Sequence, residues 1–577
     1  MDCRNNNRIL VIGLDGVSFE NLAPLFAVNQ LPNLTKLIKS GLSSPLRSVY
    51  PPMTPAAWPS FSTGKNPGKH GVYGWWELAC TKSGLKVVPT SSASIKEKTF
   101  WQILSENGYK VGLMNVPMTF PATEVNGFII CGFDNPFESV DSSPSLSYPP
   151  DIISTLRNNN INYEVMELIE SDLPLSYSML LKYLNKWISI EEERTKAAIW
   201  LRKKYSPDYM MVVYHIADYF MHRARHDSKV VRNALIELDK NVGRLISECD
   251  ENTTILVVSD HGSTELKKYI FFQNWLVEKK LLSFKNIASS ENLDLIIKNT
   301  INRNIENITH KEVTDLSGFL NDVWNNLPHN VKELITEELQ KKFPTCCASD
   351  NNIDWGKSMV FSISSYGELY INQKGKFPHG IVNPGSEYTE LTNYLINELS
   401  KLKDPETREL ILKRVVRKED YYHGKQLNNA PDILCFLRDP SYYFMRFSHY
   451  MRPETHIRSL KLSGSVIIEP ITTEDDFLGD HTPTGIFIAS GKILKQKGQK
   501  LPANLTDIAP TILALFGVPV PSDMDGQVLN EWFNLPENQP VYEPTEENTR
   551  DEIKLSPYNI ESDNLLRKKL NFMGYNI

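Results

Sequence analysis

One threonine hydroxyl stands at the centre of the chemistry this sequence allows. In Pro51-Pro52-Met53-Thr54-Pro55-Ala56-Ala57-Trp58, Thr54 lies just ahead of an expected helix start. The positive end of the helix dipole and the first backbone N–H groups favour an anion such as phosphate there. Asp15, Asp218, His222, Asp260, His261 and His481, scattered along the chain, supply the carboxylates and imidazoles that could hold metal ions around that hydroxyl. Mixed Asp/His sets suit zinc, with manganese an acceptable alternative.

The candidates divide into two groups of three. Asp15, Asp260 and His261 could hold one cation with the Thr54 oxygen as fourth ligand; Asp218, His222 and His481 could hold a second, leaving a position open. Asp218 and His222 are four apart, so one helical turn places both on one face. Two ions roughly 4 Å apart clamp the attacking and leaving oxygens of an in-line phosphoryl displacement, and coordination is one of few ways to make a threonine alkoxide near neutral pH. Taken singly, each residue has an ordinary use. Thr54 could cap a helix, Asp15 a turn, Asp218 and His222 could sit on a solvated helix face, and His481 could be a hydrogen-bonded histidine. The chemical reading rests on the set.

The elements that must position this set are apolar runs. Arg8–Leu14 ends at Asp15, Tyr209–Tyr214 precedes Asp218, Thr254–Ser259 precedes Asp260, and Gly485–Ala489 follows His481. Near-continuous apolar runs mark strands covered on both faces, and open α/β sheets bind ligands beyond the carboxyl ends of their strands. Alternating strand and helix patterns, including a helix at 100–107, strands at 110–115 and 127–131, and a crossover helix at 229–249, imply a mostly parallel central sheet with right-handed connections. The expected organisation is a catalytic α/β core over 1–264 with a helical lid at about 136–205, a helical insertion at 265–354 and a small α+β subdomain at 355–465. The core resumes at 466–532 and a polar tail covers 533–577, with a short docking helix around Leu565–Leu570.

Size and composition set limits. A chain of 577 residues exceeds one typical domain. It is 41% hydrophobic and 23% charged, as expected of a globular protein. A net charge of −7 argues against coating a nucleic-acid polymer, while a small anionic substrate remains open because a cation centre carries its own positive charge. No apolar run approaches the ~20 residues of a membrane span. Seven scattered cysteines and a first strand that begins almost at the N-terminus lead to an expectation of a reducing, cytoplasmic protein. The oligomeric state is left open.

The motifs Leu14-Asp15-Gly16, Pro52-Met53-Thr54-Pro55 with Thr63-Gly64, and Pro67-x-x-His70-Gly71 form one series. Asp218-x-x-x-His222, Ser259-Asp260-His261-Gly262 and Gly479-Asp480-His481 continue it, with further matches at Asn115-Val116-Pro117, Ala430-Pro431-Asp432 and Thr506–Thr511. Through them the chain resembles the alkaline phosphatase superfamily, in its type I phosphodiesterase/nucleotide pyrophosphatase branch, and more narrowly a group of predicted phosphohydrolases and phosphomutases. The resemblance covers about 8–530. It implies a three-layer α/β sandwich, two zinc ions, and a covalent phospho-threonine intermediate on Thr54. Diesterases of this branch carry an Asn twenty-one residues after the nucleophile; here that position is Trp75. Asn115, with backbone N–H groups near Thr54, is the candidate replacement donor to the phosphoryl oxygen.

Trp75 and Trp76 could stack on an aromatic leaving group or pack in the core. Arg223, with Arg225 and His226, could meet substrate charge or end a solvated helix. The expected activity is two-metal hydrolysis of a small phosphorylated molecule, a nucleotide derivative among the candidates. Monoester hydrolysis and phosphoryl transfer to an alcohol use the same site. A catalytically inactive, metal-stabilised scaffold is the reading from another class. Thr54-Pro55-Ala56-Ala57-Trp58 lacks the Cys/Ser-x-Pro-x-Arg pattern of sulfatases. The inserted segments at 136–205 and 265–465 are where specificity is expected.

Overall fold

Residues 7–81, 84–136, 143–166, 177–285, 353–445, 467–470, 478–536, 542–543 and 560–573 are described in the structure, a computed structural model. The strands that matter to the site are β1 (Arg8–Leu14), β2 (Leu42–Arg47), β3 (Val111–Val116), β4 (Gly127–Cys131), β5 (Ser147–Tyr148), β6 (Tyr209–Tyr214), β7 (Thr253–Val258), β8 (Gly262–Glu265), β9 (Gly479–Thr482) and β10 (Thr484–Ser490). A ten-stranded sheet runs in the order Gly498–Gln499, β2, β10, β7, β1, β6, β3, β4, β5, and Ala503–Asn504 also pairs with β2. β1 is parallel to both β6 and β7, and β3 is parallel to β6 and β4. β10 runs antiparallel between β7 and β2.

The apolar runs are continuous because both faces of the sheet are covered. Leu10, Ile12, Val212, Val257 and Ile488 point into one core, and Ile9, Val11, Met211, Val213, Val258 and Phe487 into the other. Helices Pro32–Ser40, Tyr177–Tyr205, Ile216–Arg223 and Lys229–Ser247 associate on one side. Helices Thr54–Thr63, Phe100–Glu106 and Ile508–Leu515 associate on the other. The result is the α/β sandwich with a mostly parallel sheet that the alternating pattern implied.

Two expectations differ from what is found. Tyr177–Tyr205 does not lie over the site as a lid. It packs within the sandwich against Lys229–Ser247 and β6, burying Leu184, Trp187, Ala197, Ala198 and Leu201. Its abundant charged residues hide an apolar stripe sufficient for a core helix. The described start of the 265–354 segment is a strand, Lys268–Phe271, followed by the short helix Phe272–Glu278. The helical periodicity around 331–339 lies outside the described residues.

Beyond it, Val360–Phe361, Glu368–Ile371, Ile433–Leu437 and Leu412–Arg417 form an antiparallel sheet in that order, with helix Ser386–Leu399 packed on it. The C-terminal helix Ile560–Met573 docks through buried Leu566 and Leu570. No helix among the described residues is long and apolar enough to cross a membrane.

Candidate active site

Strand direction explains how four distant segments meet. β1, β6 and β7 are parallel, so Asp15, Asp218 and Asp260-His261, which follow their carboxyl ends, arrive at one edge. β10 runs the other way and starts where the others finish. His481 precedes it, in the short antiparallel pair of β8 and β9, and so reaches the same edge. Gly16 makes the approach possible. It has φ 73° and a Cβ there would lie 2.4 Å from Asp218 Oδ1, so only glycine fits both the conformation and the space.

Around Thr54, His261 Nε2 is the meeting point. It lies 3.3 Å from Thr54 Oγ1, 3.2 Å from Asp260 Oδ2 and 3.5 Å from Asp15 Oδ1. Thr54 is the first residue of its helix; the cap position belongs to Met53, which makes no side-chain cap bond. The ordinary capping use of this threonine is therefore not the one found. The second set is equally close. His222 Nε2 and His481 Nε2 are 3.0 Å apart, and Asp218 Oδ1 lies 3.5 and 3.6 Å from them. Asp218 also comes within reach of Asp15 and His261, so the two sets adjoin.

The donor set fits divalent cations. Asp15 Oδ1 and Asp260 Oδ2 are buried and accept no hydrogen bond among the described residues, an expensive state for carboxylate oxygens unless a cation faces them. Each histidine engages its other ring nitrogen. His222 Nδ1 lies 2.8 Å from Gly479 O, His261 Nδ1 3.1 Å from Gly262 O, and His481 Nδ1 3.0 Å from the Tyr366 hydroxyl. A proton held on Nδ1 leaves the Nε2 lone pair directed inward, as a metal ligand requires. Burial keeps these rings neutral: it lowers His261 to about 4, lowers His222, and with the neighbouring His261 and His222 carries His481 well below its ordinary value. Burial, then the charges of Asp15 and Asp218, push Asp260 well up. Burial first and the crowding of carboxylates second produce that shift, and a cation among them would oppose it.

Several positioning residues carry no signal in the sequence. Asp15 Oδ2 accepts from Trp58 Nε1 at 3.4 Å and lies 2.9 Å from His215 Nδ1, which turns its other oxygen toward His261. Burial opposes the charged form of Asp15, but the hydrogen bond and charge of His215 leave its pKa below the ordinary value. Glu191 Oε1 accepts from the backbone N–H of His215 and Ile216, closing the start of the helix that carries Asp218 and His222. Glu191 is itself paired with fully buried Arg194. Nothing local in Glu191-Glu192-Glu193 separates the first glutamate from the solvated two.

Other candidates fall elsewhere. Asn115 sits at a bulge in β3 with φ 61°. It donates from Nδ2 to Val213 O at 3.1 Å, accepts from the Tyr163 hydroxyl, and offers its carbonyl to His215 Nε2 at 3.3 Å. These contacts make it framework behind Asp15, a correction to its assignment as a phosphoryl donor. Of the residues that follow Thr54, Pro55 has no N–H, and Ala56 and Ala57 donate to Met53 O. Trp75 packs in the core against Phe133, and the Arg567 guanidinium covers the Trp76 ring at 3.8 Å, so core packing rather than base stacking accounts for both. Arg223 lies over the Tyr219 ring at the end of its helix; Arg225 pairs with Glu265, and His226 with Asn21 and Met221 O. His70 bonds Ser60 inside the Thr54 helix, a structural use of its motif.

Fold and site together define the class: an α/β sandwich with clustered Asp and His groups that could bind metal at the carboxyl ends of its strands. More particularly, the chain belongs to the type I phosphodiesterase / nucleotide pyrophosphatase family, whose model matches residues 9–459. Solved structures of murine ectonucleotide pyrophosphatase / phosphodiesterase 5 are similar to it. One is of an inactive Thr-to-Ala variant in complex with AMP, with TM-score 0.47; another has TM-score 0.45. Both are 12% identical, covering 89% of this chain and 95% of theirs. No curated protein matches the chain.

Proposed function

We propose that the chain hydrolyses phosphodiester or diphosphate bonds in a small phosphorylated molecule, a nucleotide derivative in the first instance, through a covalent phospho-threonine on Thr54. The observation that carries this reading is the buried Thr54 hydroxyl 3.3 Å from His261 Nε2, where Asp15 and Asp260 also converge. Asp15, Asp260, His261 and Thr54 would hold one divalent cation, and Asp218, His222 and His481 a second, with zinc favoured by the donor types. When bound, such a pair supplies Lewis-acid stabilisation of phosphoryl charge and lowers the pKa of the threonine hydroxyl.

The chain's own part begins with orientation. Trp58 and His215 fix Asp15, and the sheet fixes Asp260 and His261 around the hydroxyl. Thr54 Oγ1 gives up its proton as it forms a bond to phosphorus and the bond to the leaving oxygen breaks; the leaving oxygen departs with that proton, as an alcohol from a diester or as a phosphate from a diphosphate. Water then attacks phosphorus, the Thr54 O–P bond breaks, and the hydroxyl returns with a proton from that water. Deep burial of every ligand excludes bulk water from competing contacts.

The test compares bis-p-nitrophenyl phosphate and p-nitrophenyl thymidine monophosphate with p-nitrophenyl phosphate, before and after chelation. Preferred turnover of the diesters, lost on chelation and restored by zinc or manganese, is the expected result. Preference for the monoester would move the assignment to phosphomonoesterase or phosphotransferase. Full metal content without turnover of any ester would make the protein a binding scaffold.

A further inference from the structure

We propose that Tyr366, carried by the inserted antiparallel subdomain, is a positioning residue for His481, so that the insert sets the cation affinity of one half of the site and not the other. This rests on the two-metal reading above. The hydroxyl of Tyr366 lies 2.8 Å from Asp480 Oδ1 and 3.0 Å from His481 Nδ1. A carboxylate can only accept, so the hydroxyl donates to Asp480 and its oxygen is left to accept from His481 Nδ1–H. The relay fixes the tautomer of His481 and sends its Nε2 lone pair toward Asp218 and His222. Rotation of the ring is restricted as well, since His481 stacks on His261 with centroids 3.6 Å apart and lies nearly parallel to the Tyr366 ring.

This arrangement is peculiar to one ligand. His222 and His261 are oriented by backbone carbonyls of Gly479 and Gly262, which no side-chain change can remove. His481 also hydrogen-bonds the backbone of Pro52, but it alone of the three takes an orienting side chain, Tyr366, from the insert. The insert also holds Tyr366 firmly. Tyr50, four residues before Thr54, sets its hydroxyl between Tyr366 O and, at 2.8 Å, Cys435 O, the two carbonyls sharing its one proton. Gly367 follows with φ 71° and Phe444 and Cys435 so close that a Cβ there would lie 2.6 Å from the Phe444 ring. The hydroxyl is therefore delivered by a turn that the subdomain's own sheet determines.

The experiment uses the full chain and measures zinc content by elemental analysis, zinc affinity by competition with a chromophoric chelator, and the absorption spectrum of the cobalt(II)-loaded protein. Tyr366→Phe should weaken one of two sites by about 10–100-fold, the range typical of outer-shell partners, and change the spectrum of that cobalt alone. Asp480→Asn, which leaves the hydroxyl in place, should weaken the same site by less, and carries the test should the first variant fold poorly. Tyr422→Phe removes a hydroxyl that bonds Tyr50 O within the same contact region without reaching His481, and should leave both affinities unchanged. The role of Tyr366 is overturned if both affinities survive Tyr366→Phe, if both sites weaken alike, or if Tyr422→Phe has the same effect. Wild-type protein that never holds two cations overturns the two-metal reading itself.

Discussion

The two halves of the site are built by different means. The half around Thr54 hangs from the central sheet: Asp15 and Asp260-His261 extend neighbouring parallel strands, and Trp58, His215 and Ser259 brace them from the core. The half around His481 is assembled from one turn of helix, a two-stranded clip and a tyrosine from the insert. Such a division surrounds the proposed nucleophile, Thr54, with groups held at the end of the central sheet, where preorganisation is least easily lost. The other half is left adjustable by segments outside the core.

Removing the hydroxyl should have the largest effect. Thr54→Ala should lower turnover by at least about 10³-fold, the scale seen when a covalent nucleophile is lost, while zinc content by elemental analysis shows at least one cation retained. A rate within tenfold of wild type would exclude Thr54 from the chemistry. Next in size, His481→Ala should remove one cation and leave the other, because only one half loses a donor. Loss of both or of neither would erase the distinction between the halves.

Glu191→Ala probes the second half from the core. Arg194 would be left as an uncompensated buried charge, and two N–H groups at the start of the Asp218/His222 helix would lose their acceptor. Breaking a buried pair typically costs about 3–5 kcal/mol, readable as a shift in the denaturant midpoint of the metal-free protein. The zinc affinity that falls furthest with it should be that of the Asp218 half, with a smaller loss in the other half through His215, which braces Asp15. A change of less than about 1 kcal/mol would mean that the helix start is held by something else.

What could be seen in the sequence, and what could not, follows the same division. The strand-end aspartates were legible because continuous apolar runs announce buried parallel strands and chemistry collects at their ends. The Asp218/His222 pair was legible from helical spacing, and His481 from its place before a strand. The braces were not. His215, Trp58, Glu191 and Tyr366 act through contacts with residues far away in sequence, and no period or spacing marks them. Asn115 misled for a related reason: it stands at a strand end like the candidate ligands, but a bulge and a left-handed backbone turn its amide into the sheet. The Tyr177–Tyr205 helix misled because its charged residues dominate a stripe of buried leucine, tryptophan and alanine.

The smallest expected effect concerns the first half and depends on pH. His70 is buried within the motif after the Thr54 helix; its Nε2 lies 2.8 Å from Ser60 Oγ, which donates onward to Ala56 O, and its Nδ1 accepts from Val72 N–H. That pattern needs a neutral ring with the proton on Nε2, and burial lowers its pKa to about 3. The unfolded chain, with histidine near 6.5, therefore binds a proton that the folded one refuses. Stability from this group is complete above about 6.5 and declines toward about 3, with a slope approaching 1.4 kcal/mol per pH unit for one proton. In His70→Gln the amide can still donate to Ser60 but does not titrate, so the metal-free variant should lose stability less steeply between about pH 6 and about pH 4. Denaturant melts at several pH values read the difference directly. Parallel acid limbs for the two proteins would show that the ring already takes up a proton in the folded state, and the Thr54 helix would then be less rigidly seated than its hydrogen bonds require.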